Sequence, residues 1–121
     1  MAAPNIVNVA TITAKSVQAT LNTTLTTEIL ANASSSGKVF KINTIIVANI
    51  DGTNAASASV FITKSGGSPI AIASTISVPA DATLVVIDKN SSLYLEEGDN
   101  IEAGASANSD LTITISYEEL S

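Results

Sequence analysis

The sequence predicts an all-β fold: a single antiparallel β-sandwich, jelly-roll-like, with about eight or nine short strands and no substantial helix. Two observations carry this expectation. Apolar residues alternate with Ser, Thr or Ala in several stretches, most cleanly in Ile70 to Val78 (IAIASTISV) and Leu111 to Tyr117 (LTITISY). That is the period of two that sends successive side chains to opposite faces of a strand. Turn signals also recur at short spacing, at Asp51-Gly52, at Ser65-Gly66-Gly67-Ser68-Pro69 and at Glu96-Glu97-Gly98-Asp99, where Gly, Asp and Pro favour reversals.

Taken in order, the chain opens with a small lead over residues 1–8 that is read as extended or partner-gripping. Asn5 to Thr13 (NIVNVATIT) reads as a first strand, with Lys15-Ser16 as the turn after it. Val17, Leu21, Leu25 and Ile29 recur every four residues, which by itself fits a helix stripe. The intervening Thr20, Thr23, Thr24, Thr26 and Thr27 are β-branched and poor in helices, so the segment is expected to be a strand. Ala33 to Gly37 is a loop. Lys38 to Ile50 (KVFKINTIIVANI) is the central strand, free of Gly and Pro. Phe40, Ile42, Ile46 and Ala48 share one parity, and Val39, Ile45 and Val47 the other. The strand should therefore bury one face throughout and the second in its latter half.

A wide loop follows Asp51-Gly52, and Ala58 to Lys64 (ASVFITK) is the next strand, with Val60 and Ile62 inward and Phe61 across from them. Ile70 to Val78 should bury Ile70, Ile72, Ile76 and Val78 on one face before Pro79 ends it. Ala82 to Asp88, Leu93 to Leu95, Asn100 to Ala105 and Leu111 to Tyr117 complete the set, and Glu118 to Ser121 is read as a tail.

With 121 residues, the chain suits one domain over 1–121. Only 3% of residues are aromatic and 13% charged, so the core must be built from Ile, Val, Leu and Ala. So little charge implies that part of the surface is buried against copies of the chain or another protein. A homo-oligomer, with a trimer as the guess, is the expectation; the alternative is that Thr, Ser and Asn simply replace charge as the solvated surface. The net charge is −6 and the five basic residues are all Lys, which argues against nucleic acid and anionic membranes as partners, since both are bound through Lys and Arg.

There is no Cys and no His, so disulfides, thiolate nucleophiles and imidazole chemistry are excluded. The opening MAAPNIVNV lacks the basic start and apolar core of a secretory signal. No apolar run approaches the roughly 20 residues of a membrane helix. Asn22, Asn32 and Asn90 match N-x-[ST] but carry little weight without a secretory route.

Glu96, Glu97, Asp99 and Glu102 form the one acidic cluster. It could be a Ca²⁺ site or a glycosidase-type carboxylate pair, or a solvated turn that keeps a sheet edge soluble. No D-x-D-x-D-G pattern is present and aromatic platforms for sugar are scarce, so the solvated turn is expected, with no catalytic residue, metal or cofactor. Gly66-Gly67 is a hairpin loop, because no GK[ST] follows it. Phe40 and Phe61 are expected in the core. Tyr94 and Tyr117 are read either as interface anchors or as fillers of the core or its rim.

The runs VANIDGTNAA, SVPADATLVVIDKN and LYLEEGDNI, in this order, resemble a group of small virion structural proteins of tailed phages, cyanophages in particular. The likeness extends from about Lys38 to the C-terminus and includes the MAAPNIVNV opening. LYLEEGDNI recurs widely in phage β-domains and is weak alone. What the resemblance implies is a non-enzymatic particle component present in many copies. The leading expectation is a capsid decoration (cement) protein on the capsid exterior that binds major capsid subunits or another virion protein. A neck, collar or tail-fibre component is the alternative, including a receptor- or glycan-binding module. Ile6, Val7 and Val9, with Tyr94 and Tyr117, are the candidate partner-interface residues.

Overall fold

The β-branched run after Gly37 forms the longest strand among the described residues, β3 (Val39–Asn49), in a computed structural model that describes residues 9–121. The others are β1 (Ile12–Thr20), β2 (Thr27–Ala31), β4 (Ala56–Thr63), β5 (Ile70–Val78), β6 (Thr83–Ile87), β7 (Leu93–Leu95), β8 (Asn100–Ala105) and β9 (Leu111–Leu120). Among the described residues the one helical element is a 3-10 turn at Lys89–Ser91, capped by Asp88.

Among the described residues nine antiparallel strands make two sheets packed as a sandwich. One sheet runs β1-β9-β3-β6, with β7 also against β3, and the other runs β2-β8-β4-β5. β1 pairs with β9, β2 with β8, β3 with β6 and β4 with β5. The chain is thus doubled on itself about the β4–β5 turn, and the doubled ribbon is rolled so that alternate layers fall in opposite sheets. That is the jelly-roll pattern. β7 continues the β6 edge along β3, pairing with Phe40, Lys41 and Ile42, while β6 pairs with Ile45 to Ala48.

The two sheets contribute differently to the core. β3 and β9 supply bulk, with Ile42, Ile45, Val47, Leu111, Ile113 and Ile115 buried. β4 and β8 answer mostly with small residues, Ala56, Ala58, Ala103 and Ala105, around Val60 and Ile101. Each large aliphatic so buried contributes about 1.5 to 3 kcal/mol.

A bulge changes the reading of β3. Its register with β9 shifts between Ile42 and Thr44, leaving Asn43 as the extra residue. The inward parity switches there, from Phe40 and Ile42 to Ile45 and Val47, all four buried. β3 does not bury both faces in its second half as the alternation suggested: Ile46 and Ala48 are half-buried on the outer face.

The N-terminal expectations also need correction. The strand expected at Asn5 to Thr13 lies partly outside the described residues, and the observed β1 starts at Ile12. Lys15-Ser16, expected to turn, sits mid-strand, paired with Tyr117 and Ser116. Lys is tolerated there because β1 is an edge strand. The single strand expected over Val17 to Ile29 is two strands in different sheets, joined across Leu21 to Thr26. The expected tail is strand as well, since β9 continues to Leu120. β5 has the predicted bounds, but among its expected inward residues only Val78 is buried; Ile70, Ile72 and Ile76 are exposed. Phe40 is in the core, whereas Phe61 is only half-buried and pairs with Glu102 on the outer face of its sheet.

Candidate partner-binding surface

The acidic turn carries the carboxylates that could have formed a Ca²⁺ site or a catalytic pair. Gly98, at φ +87°, allows the tight reversal between β7 and β8. It brings Asp99 back beneath the turn, where the side chain is only 2% exposed. Asp99 accepts the Lys64 ammonium, the Ser65 N–H at 3.0 Å and the Glu96 N–H at 2.9 Å. Burial opposes its charge, but Lys64 and the two N–H groups outweigh burial and hold its pKa below the ordinary value. Lys64, bonded to Asp99 and then to Glu96, is correspondingly raised.

The other acids turn elsewhere. Glu96 accepts Lys64 at 2.6 Å, Glu97 accepts the Gly37 N–H at 2.9 Å, and Glu102 accepts the Thr63 hydroxyl at 2.9 Å. Among the described residues no three carboxylates converge on one point. The expectation of a solvated turn holds for Glu96 but not for Asp99, which is a buried structural centre.

Two buried asparagines do similar work at other loops. Asn32 donates to the carbonyls of Lys38 (2.8 Å) and Leu95 (3.1 Å) and accepts the Ser36 hydroxyl at 2.6 Å. Its amide is fully engaged, so the sequon there is structural. Asn49 donates to the carbonyls of Asn54 (3.0 Å) and Val78 (2.9 Å) and accepts the Asp51 N–H at 2.8 Å. Sequence reasoning gave neither residue nor Asp99 a structural role. One signal was present: Asn22, Asn49, Asp51 and Asp88 each close an Asx-turn onto the N–H two residues on.

The expected interface residues are dispersed. Tyr117 is buried and its ring packs on Phe40, with centroids 5.1 Å apart; burial, reinforced by the nearby Glu119, pushes its pKa up. Tyr94 is 42% exposed and lies beside an open hollow of about 530 Å³ lined also by Val39, Lys64, Leu93 and Glu96. Val9 is half-buried. Ile6 and Val7 lie outside the described residues.

The outer face of the β1-β9-β3-β6 sheet is an ordered surface. Register places its side chains in rows: Thr20, Thr112, Ala48 and Thr83; then Gln18, Thr114, Ile46 and Val85; then Ser16, Ser116 and Thr44. No row contains a charge. Gln18 Nε2 donates to the Thr114 hydroxyl at 3.4 Å, and a shallow depression of about 370 Å³ opens over Gln18, Ala19, Thr20, Thr112 and Thr114. Charge enters beyond these rows at both ends, at one where Ala14 and Lys41 both face Glu118 and Lys41 also faces Tyr94, and at the other where Asp110 lies beside Ile50. This neutral field of hydroxyl, methyl and amide groups can pack against another protein without burying a charge, provided its hydroxyls and amide find hydrogen-bond partners there.

No protein-family model and no curated protein matches the chain.

Proposed function

We propose that the chain is a non-enzymatic structural protein of a tailed-phage particle, a decoration (cement) protein that binds major capsid subunits from outside the head. The observation that carries this reading is the neutral face built by three successive uncharged rows of β1, β9, β3 and β6. Beside it stands the sequence resemblance to small virion structural proteins. A net charge of −6 suits the outer surface, away from packaged DNA. The acids most available for chemistry are committed to neighbouring residues, which favours a scaffold over an enzyme.

Copy number per particle tests the proposal. Quantitative mass spectrometry of purified virions should return one copy per major capsid subunit, or a simple fraction of that. About a dozen copies or fewer would overturn decoration and place the protein in a neck or tail. One observation favours that second reading in its receptor-binding form: exposed Tyr94 stands at a hollow that also carries Lys64 and Glu96, an aromatic wall beside polar groups.

A further inference from the structure

The side of the sandwich where β5 lies over β6 differs from its opposite side. β1 and β2, the edge strands of the opposite side, carry Lys15 and Glu28. β5 (IAIASTISV) and β6 (TLVVI) carry no charge at all. Large aliphatic residues stand open along β5: Ile70 is 66% exposed, with Ile72 and Ile76 also exposed. Edge strands are normally protected by charge, and this pair has none.

We infer that the β5–β6 side is the contact between two copies of this chain, related by a two-fold axis. Charge selects the occupant. A chain of net charge −6 repels its own copies over most of its surface. A two-fold contact places each patch against itself, so any charge on it would face a like charge. The uncharged side is where two copies meet without that conflict. A ring of three would instead press this side against a different patch, without the self-matching of two uncharged strands.

Nine residues of β5 make a strip about 30 Å long on one sheet, and five of β6 one about 17 Å long on the other. With the sheets about 10 Å apart, the uncharged strip covers about 470 Å² on each copy, a small contact just under the usual lower end of a specific interface. The contact is made by side chains and not by a continuous inter-copy ladder, because Thr75 breaks the edge. Its φ is +52°, its N–H is held by the Ser59 hydroxyl at 3.0 Å, and the register with β4 shifts there.

The inference names the surface for the self-association in the proposed function but does not depend on a phage particle, so it is tested on the isolated full chain. Sedimentation equilibrium at micromolar concentration should give the mass of two chains. Ile70→Lys and Ile72→Lys should each give one chain with an unchanged β circular dichroism spectrum, and Ile12→Lys, on the opposite side, should still give two. The chain has no Cys, so a single introduced thiol reports contact directly. Ser74→Cys, at the middle of β5, should crosslink to its own copy under mild oxidation, and Gln18→Cys on β1 should not. A mass of one or three chains for the unaltered protein overturns the inference. So does a mass indifferent to Ile70→Lys, or crosslinking at Gln18→Cys equal to that at Ser74→Cys. Loss of particle binding with this dimer intact would count against the proposed function alone.

Discussion

Burying a carboxylate costs several kcal/mol unless opposite charge and hydrogen-bond donors replace the lost water, and Asp99 obtains both from Lys64, Ser65 and Glu96. Its lowered pKa makes that arrangement pH-dependent with a definite sign. A carboxyl more acidic in the folded than in the unfolded chain adds stability above its unfolded pKa, about 3.9, and loses it as pH falls through the lower folded value. Lys64, raised in the fold, adds stability in full below about 10.4 and loses it as pH climbs through its folded pKa. Asp99→Asn should therefore cost about 1 to 3 kcal/mol at pH 7, because an amide cannot accept all three donors and sets its own N–H against an ammonium. Near pH 3 the cost should shrink. Urea midpoints at the two pH values measure this, and an equal loss at both would refute a charge-based role. Some acid sensitivity should survive in the variant: burial opposes the charge of Glu119, but Lys38 and Lys15 hold its pKa low.

At the scale of the element, β5 combines a regular pattern with an irregular backbone. Thr75 occupies the left-handed region at φ +52°, where a β-branched residue is strained by about 1 to 3 kcal/mol. The Ser59 hydroxyl and the β4 register impose that conformation. Thr75→Gly should then raise stability by about 0.5 to 1 kcal/mol, the relief of strain less the added unfolded-state entropy of glycine. A thermal midpoint unchanged or lowered would show that the Thr side chain offsets its own strain. The same strand shows what sequence can and cannot give. Alternation fixed Ile70 to Val78 as a strand with its correct bounds, because period two is a local property. It could not show that the strand lies at an edge, which depends on neighbours, and so Ile70, Ile72 and Ile76 were expected to be buried. Asn43 failed for a related reason: a bulge inverts parity downstream and leaves the composition untouched. The cluster around Asp99 was legible as residues and illegible as geometry, since Lys64 is brought to it by the β4–β8 pairing.

For the whole molecule, the rolled ribbon leaves faces of different character: a neutral hydroxyl-rich sheet face, an aliphatic side, and an end where charges are paired. Among the described residues the hydrogen bonding of the sandwich begins where Ala10 and Thr11 both donate to the Ser121 carbonyl at 2.8 Å. The proposed function expects a chain lacking residues 1–8 to keep its β spectrum and a thermal midpoint within about 5 °C, equivalent to about 1 kcal/mol in a domain of this size. Ile6 and Val7, the branched aliphatic residues of that lead, are the partner-interface candidates the sequence offers there. Incubated with heads that lack the protein, the truncated chain should reach lower occupancy than the full chain at equal concentration. Burying two aliphatic side chains is worth about 3 to 6 kcal/mol at most, so even partial engagement would weaken binding at least about tenfold. Full occupancy by the truncated chain would remove Ile6 and Val7 from the contact and leave the neutral β1-β9-β3-β6 face to hold the capsid alone. Replacing Thr114 at the centre of that face with Lys would then separate the two surfaces, since a charge there must abolish binding if the face is the grip.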